Sequence, residues 1–329
     1  MSAMTPNGSS PRGRVLVTGA AGVMGRHLVS GLLERGFAVR CLVLPGDPER
    51  NRLERLGAEI REGDIREASS LAGICAEVDT VYHLAAVILS RDTSVFRRVN
   101  QDGTANMVAE ARAAFVRHFI YVSSASVTYP RRTPYAESKW QAERLVASQT
   151  AFAHTIVRPT LVYDEHGGQE FVLFERYLRR FPIVPFIGAG NARKRPVWAA
   201  DVMDGLLRLA GNSESHGKLY NFSGPESISM RDFAHLILQK SGSDRPFLHL
   251  PVWLCSAVAF VLERCMKNPP LTRSAIAGIV NDADLDPTQA MRELGYRPLA
   301  LREGFARCFP ERAAENAALS PSLSRGNAS

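Results

Sequence analysis

The sequence predicts an α/β fold: a doubly wound parallel sheet followed by a smaller C-terminal α/β lobe. Short apolar segments alternate with helical patterns from residue 14 to residue 163. A glycine-rich turn, TGAAGVMG, separates the first apolar segment from the first helix. Strands that alternate with helices form parallel sheets covered on both faces. The 329 residues also exceed one domain of ordinary size, so a second domain is expected.

Each element has its own pattern. RVLVTG (14–19) is a short apolar strand, GRHLVSGLLERG (25–36) has helical spacing, and FAVRCLVL (37–44) is a second strand. These three segments form one βαβ motif, and its crossover is expected to be right-handed. Further strands are predicted at 58–65, 78–86, 117–124 and 154–163, and further helices at 103–114 and 135–148.

Composition and charge are those of a globular chain. Lys and Arg number 40 against 33 Asp and Glu, a net charge of +7, but the cations are scattered along the chain. A solvated surface is therefore favoured over a polyanionic partner, and no nucleic acid is expected. The five cysteines show no CxxC spacing. We interpret them as small buried hydrophobes in a reducing compartment and predict no metal site.

The N-terminal segment and one apolar run bear on location. MSAMTPNGSSPRGR lacks the apolar run of a secretory signal, which favours the cytoplasm. The uncharged run from Leu250 to Leu262 is shorter than the ~20 residues that a membrane-spanning helix needs. We interpret this run as a buried helix, with peripheral contact with a membrane surface as the less favoured alternative.

Three glycines in the first turn predict a phosphate-binding loop. Gly19 lets the chain turn sharply out of the strand, Gly22 lets the backbone approach a pyrophosphate, and Gly25 lets the helix lie close to the sheet. The N–H groups and the positive dipole end of the helix then face the phosphates. Glycines also gather in ordinary turns, but their place between a strand and a helix favours dinucleotide binding.

The TGxxGxxG spacing resembles the fingerprint of the short-chain dehydrogenase/reductase superfamily. Further matches follow in register: GDI with Asp64, HLAA at 83–86, VNQDGTANM with Asn100, YVSSASV, YAESK and VRPTLVY. The chain length and the region after residue 165 are similar to the extended branch, the NAD-dependent epimerase/dehydratase family, whose members are mostly nucleotide-sugar enzymes. The resemblance spans residues 14 to 310 and implies a Rossmann-like domain. It implies that the cofactor is bound by Gly19, Gly22, Val23, Met24, Gly25, Asp64, Ile65, Leu84, Ala85, Ala86, Ser123, Tyr135, Lys139 and Pro159.

Tyr135 and Lys139 are the predicted acid/base pair. They are four residues apart on a helix that begins near Pro134, so they share one face. A free tyrosine has a pKa of about 10, and a nearby ammonium group favours the phenolate. Lys139 therefore makes Tyr135 usable as an acid/base at neutral pH. Tyr129 has no lysine four residues on and is predicted to line the pocket or to pack.

Two adjacent serines compete for the third catalytic role. In the family pattern the catalytic serine lies three residues before a valine, which implies Ser124 before Val127. Its hydroxyl would hold the substrate oxygen and stabilise developing charge. Ser123 is then expected beside the nicotinamide as a cofactor contact.

Two further features shape the predicted pocket. Asn100 is predicted to be a helix cap, although its counterpart in the family also helps to order the active site, and it is a candidate substrate-binding residue. The chain departs from the family at VTYP and has only ten residues between Ser124 and Tyr135. We therefore expect this short loop, with Arg131 and Arg132, to give one wall of the pocket a shape that differs from that in other family members.

The end of the second strand carries neither of the usual cofactor signals. An acidic residue there binds the ribose hydroxyls of NAD, and an arginine favours NADP. Here the candidate positions are Val43 and Leu44. Asp47 either reaches the ribose from the following loop or is a turn residue before Pro48. The wider resemblance to epimerases favours NAD, and NADP stays open.

A cationic cluster, Arg193 to Arg195, lies in the second half of the chain. Lys194 stands where many nucleotide-sugar enzymes place a diphosphate-binding arginine, so the resemblance implies that Lys194 and Arg195 bind a sugar diphosphate. A solvated loop is the equal alternative. The predicted domains are a flexible tail (1–13), a dinucleotide-binding domain (14–165, with 196–222 returning to it), a substrate lobe (166–195 and 223–310) and a disordered tail (311–329).

These features predict an NAD(P)-dependent epimerase of a nucleotide- or polyprenol-linked sugar that works by transient oxidation of a hydroxyl. The first alternative is a dehydrogenase or reductase of a hydrophobic alcohol or ketone, similar to hydroxysteroid dehydrogenases, because residues 246–272 are strongly apolar. The second is a non-catalytic NAD(P)-binding accessory subunit, although Tyr135 and Lys139 are both present. A small-molecule substrate is expected, and the superfamily suggests a homodimer through paired helices.

Overall fold

The computed structural model describes residues 12–164, 169–240, 242–267 and 269–309. Apart from Arg12 and Gly13, the tails predicted at 1–13 and 311–329 lie outside the described residues. The chain divides into two compact units. Unit 1 is formed by residues 12–159, Ala200–Phe222 and Asp286–Arg297, and unit 2 by Thr160–Ala199, Ser223–Leu285 and 298–309.

Unit 1 is built on a seven-stranded parallel sheet. Its strands are β1 (Arg14–Thr18), β2 (Ala38–Val43), β3 (Glu59–Glu62), β4 (Thr80–His83), β5 (His118–Val122), β6 (Ala153–Pro159) and, after four strands of unit 2, β11 (Lys218–Phe222). The order across the sheet is β11-β6-β5-β4-β1-β2-β3. The central strands are buried along nearly their whole length, as expected for a parallel sheet covered on both faces. The predicted doubly wound fold is thus confirmed.

The helices of unit 1 cover this sheet. They are α1 (Val23–Glu34), α2 (Arg50–Arg55), α3 (Thr93–Phe96), α4 (Gly103–Ala113), α5 (Pro134–Ala147), α7 (Ala199–Leu207, whose first residue belongs to unit 2) and α11 (Thr288–Leu294). A π-helical segment, Arg97–Asp102, joins α3 to α4. Apolar side chains from α4 and α5 pack on strands β1, β4 and β5, with Met107, Val146 and Phe119 fully buried in the core.

One predicted boundary differs from the structure. Residues 286–297 were expected in the C-terminal lobe, yet they belong to unit 1. Helix α11 packs on β11, where Glu293 accepts hydrogen bonds from Lys218 Nζ (2.9 Å) and Tyr220 Oη (2.9 Å). The return to unit 1 in the middle of the chain begins at Ala200, four residues after the predicted residue 196.

Unit 2 is a smaller α/β body. Its strands are β7 (Val162–Tyr163), β8 (Val184–Ile187), β9 (Arg193–Lys194), β10 (Val197–Trp198), β12 (Ile228–Ser229) and β13 (Phe247–Leu250). Its helices are α6 (Gln169–Leu178), α8 (Met230–Lys240), α9 (Val252–Cys265), α10 (Arg273–Val280) and α12 (Leu301–Cys308). Phe171, Phe233 and Phe305 are fully buried and pack ring against ring in its main core.

Helix α9 corrects one expectation. The apolar run that begins at Leu250 was interpreted as a buried helix, but on α9 only Cys255 and Ala259 are buried, and Trp253 is 72% exposed. Cys265, at the end of the helix, is exposed as well, unlike the other four cysteines. Within the described residues, none of the helices is long and apolar enough to cross a membrane.

Candidate active site

The loops that could form a site leave the carboxyl ends of adjacent strands in unit 1. The chain runs from β1 to β2 and β3 on one side, then crosses to β4, β5 and β6 on the other. Such a switch point opens a crevice at the carboxyl edge of a parallel sheet, and ligands bind there. Four predicted segments lie at this edge: Gly19 after β1, 84–86 after β4, Ser123 after β5, and Pro159 at the end of β6.

The glycine turn has the geometry that its sequence predicted. Gly19 has φ of 71°, and a Cβ there would lie 2.8 Å from the backbone nitrogen of Ala85. A Cβ on Gly25 would clash with the carbonyl oxygen of Gly19 and lie 2.7 Å from Ala20 Cα. Gly22 precedes α1 and has no side chain that could cap its first N–H groups. These N–H groups, with Val23 and Met24 in the first turn, are therefore disposed to bind phosphate.

A buried polar chain links this turn to the next strand. His83 is fully buried at the end of β4, with Nδ1 2.7 Å from Thr18 Oγ1 and Nε2 2.9 Å from Thr104 Oγ1. Thr18 Oγ1 also accepts from the backbone nitrogen of Ala85 (3.2 Å). Burial lowers the pKa of His83 to about 3, so the ring is neutral. The sequence analysis assigned His83 no hydrogen-bonding role. The signal for one was that two buried strands end in polar residues, β1 in Thr18 and β4 in His83.

Helix α5 carries Tyr135 and Lys139, the residues predicted to form the acid/base pair. Thr133 caps the helix by accepting from the backbone nitrogen of Ala136 (3.2 Å), and Pro134 occupies the first turn. Tyr135 therefore stands at the start of α5, half-buried, with its ring edge-on to Phe96 at 6.0 Å. Lys139 follows one turn later and is buried.

The ammonium group of Lys139 is held by β5. Its Nζ donates to the carbonyl oxygen of Val122 (2.7 Å) and lies 4.3 Å from the ring centre of Tyr121. Burial lowers the pKa of Lys139 to about 7, and the carboxylate of Glu143 opposes this shift. Burial also raises the pKa of Tyr121 well above its ordinary value, so Tyr121 stays protonated and is an aromatic support, not a second base.

The sequence analysis did not predict an ion pair that lies close to Lys139 along α5. Glu143, one turn further along α5, pairs with Arg158 of β6, whose Nε lies 3.1 Å from Oε2. Ser123 Oγ donates to the same Oε2 (2.6 Å). The Ser123 hydroxyl is thus engaged inside unit 1, and its backbone N–H donates to Val157 O (2.7 Å). Its expected contact with a cofactor stays a prediction. The signal in the sequence was a glutamate four residues after Lys139, on the same helix face.

Ser124 lies at the start of a short 3₁₀ turn, Ala125–Thr128. Its Oγ accepts from the backbone nitrogen of Ser126 (3.2 Å) and shares a hydrogen bond with Ser126 Oγ (2.9 Å). Unlike the buried Ser123, Ser124 is half-exposed at the carboxyl edge of the sheet. Ser124 therefore stays the better candidate for a substrate contact, with Ser126 as its hydrogen-bonding neighbour.

Asn100 corrects two expectations. It lies inside the π-helical segment and is not a helix cap; it is also completely buried. Its Oδ1 accepts from the backbone nitrogen of Val87 (2.8 Å), while Nδ2 donates to Val87 O (3.0 Å) and Ser138 Oγ (3.0 Å). These bonds occupy the amide, so Asn100 joins the loop after β4 to α5 instead of contacting substrate.

The short loop before α5 is anchored to that helix. Arg132 Nε donates to Val127 O (2.8 Å), and its guanidinium lies 4.0 Å from the ring centre of Trp140. Arg131 is exposed and Tyr129 half-exposed in the same loop. Arg132 thus fixes the loop on α5, whereas Arg131 stays at the surface.

Asp64 and Ile65, expected to bind the cofactor, and Asp47, expected at the ribose or in a turn, have mixed roles. Asp64 forms an ion pair with Arg66, which lowers the pKa of its carboxyl group. The carbonyl of Ile65 accepts from Asn106 Nδ2 (2.8 Å). Asp47 Oδ1 accepts from the backbone nitrogen of Glu49 (2.9 Å), which supports the turn interpretation.

The cationic cluster of unit 2 is engaged within that unit. Lys194 is buried, and its Nζ donates to Asn281 O (2.6 Å). Arg195 forms an ion pair with Asp284 (2.6 Å) and donates to Pro225 O (2.7 Å). These are structural bonds, so neither cation is offered freely to a diphosphate.

Comparison with known proteins places this architecture in a family. The model of the NAD dependent epimerase/dehydratase family matches residues 15–223, and the chain belongs to that family. It is 27% identical over 310 aligned residues to a 4-hydroxy-2-methyl-3-oxo-4-farnesyl-3,4-dihydroquinoline-1-oxide ketoreductase of Stigmatella aurantiaca, covering 86% of this chain and 91% of that protein. It is 29% identical over 345 aligned residues to a 3 beta-hydroxysteroid dehydrogenase/Delta 5-->4-isomerase of Mycobacterium tuberculosis, covering 91% and 90%.

A solved structure shows the same fold. The crystal structure of DesIV, a dTDP-glucose 4,6-dehydratase from Streptomyces venezuelae with NAD and TYD bound, superposes with a TM-score of 0.71 at 24% identity. It covers 93% of this chain and 98% of that one. This likeness shows the fold. The family model, which matches residues 15–223, confirms the predicted NAD-dependent epimerase/dehydratase family of enzymes, whose cofactor is NAD. The cradle formed by Gly19, Gly22 and Gly25, which a Cβ at Gly19 or Gly25 would fill, fits that dinucleotide.

Proposed function

We propose that the protein is an NAD-dependent oxidoreductase that interconverts a secondary alcohol and a ketone on a hydrophobic molecule. The observation that carries this proposal is the arrangement on α5, where Tyr135 and Lys139 lie one helical turn apart and Lys139 Nζ is held by Val122 O and the ring of Tyr121. Bound NAD supplies the hydride acceptor or donor. The protein supplies the proton transfer and the positioning of the reacting hydroxyl.

Tyr135 is the proposed acid/base. In the oxidising direction its phenolate accepts the hydroxyl proton of the alcohol; in the reducing direction its phenol donates a proton to the carbonyl oxygen. The proposed role of the Lys139 ammonium group is to favour the phenolate form of Tyr135 through opposite charge. Ser124 Oγ donates to the same substrate oxygen and stabilises its charge while the proton moves.

The substrate class is argued from two observations. Two relatives that each span most of this chain bear the names of a farnesyl quinoline ketoreductase and a hydroxysteroid dehydrogenase, and a farnesyl chain and a steroid are both largely apolar. In addition, Lys194 and Arg195, the cations expected to hold a sugar diphosphate, are bonded to Asn281 and Asp284. A neutral, lipid-soluble substrate needs no such cations.

An epimerase acting on a nucleotide- or polyprenol-linked sugar is the second candidate. The family model that matches residues 15–223 is named for epimerases and dehydratases, and the same Ser124, Tyr135 and Lys139 would serve transient oxidation of a sugar hydroxyl. The two candidates differ in the fate of the cofactor. A dehydrogenase releases NADH in proportion to product, whereas an epimerase returns the hydride and shows no net NADH.

The test is an assay of the purified full-length chain with NAD and, in separate reactions, dehydroepiandrosterone, 2-decanol and UDP-galactose. We expect NADH to accumulate with a steroid or alkyl alcohol and no inversion of the sugar. Tyr135→Phe should lower the rate by about 10²–10⁴-fold, while the Kd for NADH, measured by fluorescence titration, stays within about threefold because the phosphate cradle is untouched. Sugar inversion without net NADH would instead establish the epimerase, and full activity of Tyr135→Phe would remove the catalytic assignment.

A further inference from the structure

Helix α9 of unit 2 presents an apolar face to solvent. One face of the helix, residues Cys255, Ala259 and Leu262, is spaced for packing, and Cys255 and Ala259 pack with Ile187 and Ile276 in a small core. The opposite face is a stripe formed by Trp253, Ala257, Phe260, Val261 and Arg264, which are spaced by three, four, seven, eight or eleven residues. Three apolar side chains of this stripe are exposed: Trp253 (72%), Phe260 (40%) and Val261 (55%). Three other apolar side chains of α9 are exposed outside the stripe: Val252 (37%), Leu254 (39%) and Val258 (44%).

The charges around this face are mainly positive. Residues 251–280 contain three cations, Arg264, Lys267 and Arg273, and one anion, Glu263. That anion is already paired, since Arg273 Nε lies 2.8 Å from Glu263 Oε2. The guanidinium of Arg264 lies 4.3 Å from the ring centre of Phe260, so its aliphatic stem covers apolar surface while its charge stays at the edge. Exposed Trp and Phe side chains together with Lys and Arg cations are residue types found in a helix that lies in a lipid headgroup layer.

We propose that α9 docks the protein onto the surface of an anionic lipid bilayer. The helix has 14 residues, which at about 1.5 Å per residue is shorter than the ~30 Å hydrocarbon core. It therefore lies in the plane of the interface, with Trp253, Leu254 and Val261 in the headgroup layer. Arg264 and Lys267 bind the lipid phosphates.

Charge and shape distinguish this partner from two others. A second copy of the chain would meet α9 with the same surface, and a parallel two-fold contact would bring the cations at Arg264 and Lys267 near their own counterparts. An antiparallel contact avoids this repulsion, so the oligomeric state is measured as part of the test below. A helical peptide partner inserts into an apolar groove, whereas the exposed face here is the convex side of a single helix. An extended, negatively charged bilayer surface complements both the convexity and the charge.

The experiment is co-sedimentation of the full chain with vesicles of phosphatidylcholine alone and of equimolar phosphatidylcholine and phosphatidylglycerol. We expect binding to the anionic vesicles to exceed binding to the neutral ones by about tenfold or more, and to weaken as salt is added. Trp253→Ser with Val261→Ser should reduce binding by about tenfold. Arg264→Glu with Lys267→Glu should abolish the preference for anionic lipid.

The matched control is Phe115→Asn, which removes an 87% exposed aromatic ring from unit 1 at a residue with φ of 54°, a conformation that asparagine tolerates. Its vesicle binding should equal that of the natural chain. Thermal unfolding and NADH binding should be unchanged in every variant, because all of these side chains lie at the surface. Absence of vesicle binding, or equal binding by the Trp253→Ser, Val261→Ser variant, would overturn the proposal. So would an oligomer in sedimentation velocity that dissociates in that variant, since α9 would then join copies of the chain.

Discussion

Lys139 in unit 1 and Lys194 in unit 2 invite comparison because both are buried and both donate from Nζ to a main-chain carbonyl oxygen, that of Val122 or Asn281. Burial lowers the pKa of Lys139 to about 7 and that of Lys194 to about 8. The difference lies in what surrounds each ammonium group. Lys139 lies one helical turn from a half-exposed tyrosine at the carboxyl edge of the sheet, whereas Lys194 lies in a two-residue strand paired with β12. Burial and a shifted pKa therefore do not identify a catalytic lysine; a neighbouring group that can exchange a proton with substrate does.

The largest effect is expected for Lys139→Met, which keeps the side-chain volume but removes the charge. Without the ammonium group the pKa of Tyr135 rises towards that of a free phenol, about 10. We expect the rate at neutral pH to fall by at least about 100-fold. The rising limb of the pH–rate profile for alcohol oxidation should also move to higher pH. Steady-state kinetics across the pH range would show both changes, and an unshifted profile would contradict the proposed role of Lys139.

The two adjacent serines should separate in the same assay. Ser124→Ala removes the proposed donor to the substrate oxygen, so we expect kcat to fall by about 10- to 100-fold. Ser123→Ala removes a donor to Glu143, which still has Arg158, so the expected loss is about 1 kcal/mol of unfolding free energy with kcat within about threefold. Urea unfolding and kcat, measured on both variants, show which serine acts in catalysis and which one stabilises the fold. The reverse ranking would place Ser123 in the catalytic role.

Lys194→Met is the counterpart to the lysine variant of unit 1. It removes the hydrogen bond to Asn281 and leaves a carbonyl without that donor, so unfolding free energy should fall by about 1–3 kcal/mol. We expect kcat and KM for an apolar alcohol to stay within about threefold of the natural values, because the proposed proton transfer does not involve Lys194. A KM that rises for UDP-galactose alone would instead support the diphosphate role that the sequence suggested.

The last prediction concerns stability alone and involves His83, whose effect depends on pH. Burial holds the pKa of His83 at about 3, below its ordinary value of 6.5, so the folded state stays neutral while the unfolded chain takes up a proton. Stability is therefore lost as the pH falls from 6.5 towards 3. Well below 6.5 the contribution is about 1.4 kcal/mol per pH unit. Unfolding of the natural chain and His83→Gln by urea between pH 5 and 6.5 measures the difference in slope, and equal slopes would show that His83 does not contribute.

The sequence by itself determined the parallel sheet, the glycine turn and the placing of Tyr135 and Lys139 one turn apart on one helix. Each depends on local spacing: alternation of strands and helices, three glycines between β1 and α1, and four residues along one helix face. Local spacing predicts local structure because the hydrogen bonds of a helix and the dihedral freedom of glycine depend on only a few neighbouring residues. For this reason the fold class and the position of Tyr135 and Lys139 on one helix could be predicted without coordinates, while their acid/base role stays a prediction.

Only the tertiary structure decided which polar groups are occupied by other parts of the chain. The side chain of Asn100, expected as a cap or substrate contact, forms hydrogen bonds with Val87 and Ser138. The hydroxyl of Ser123 donates to Glu143. Lys194, expected at a diphosphate, is used by Asn281, 87 residues away. A buried polar group must find a hydrogen-bond partner, and that partner is chosen by which distant segments the fold brings together. Helix α9 depends on distant segments in a similar way. Its apolar composition predicts burial, but its exposure is decided by which parts of the chain pack against it.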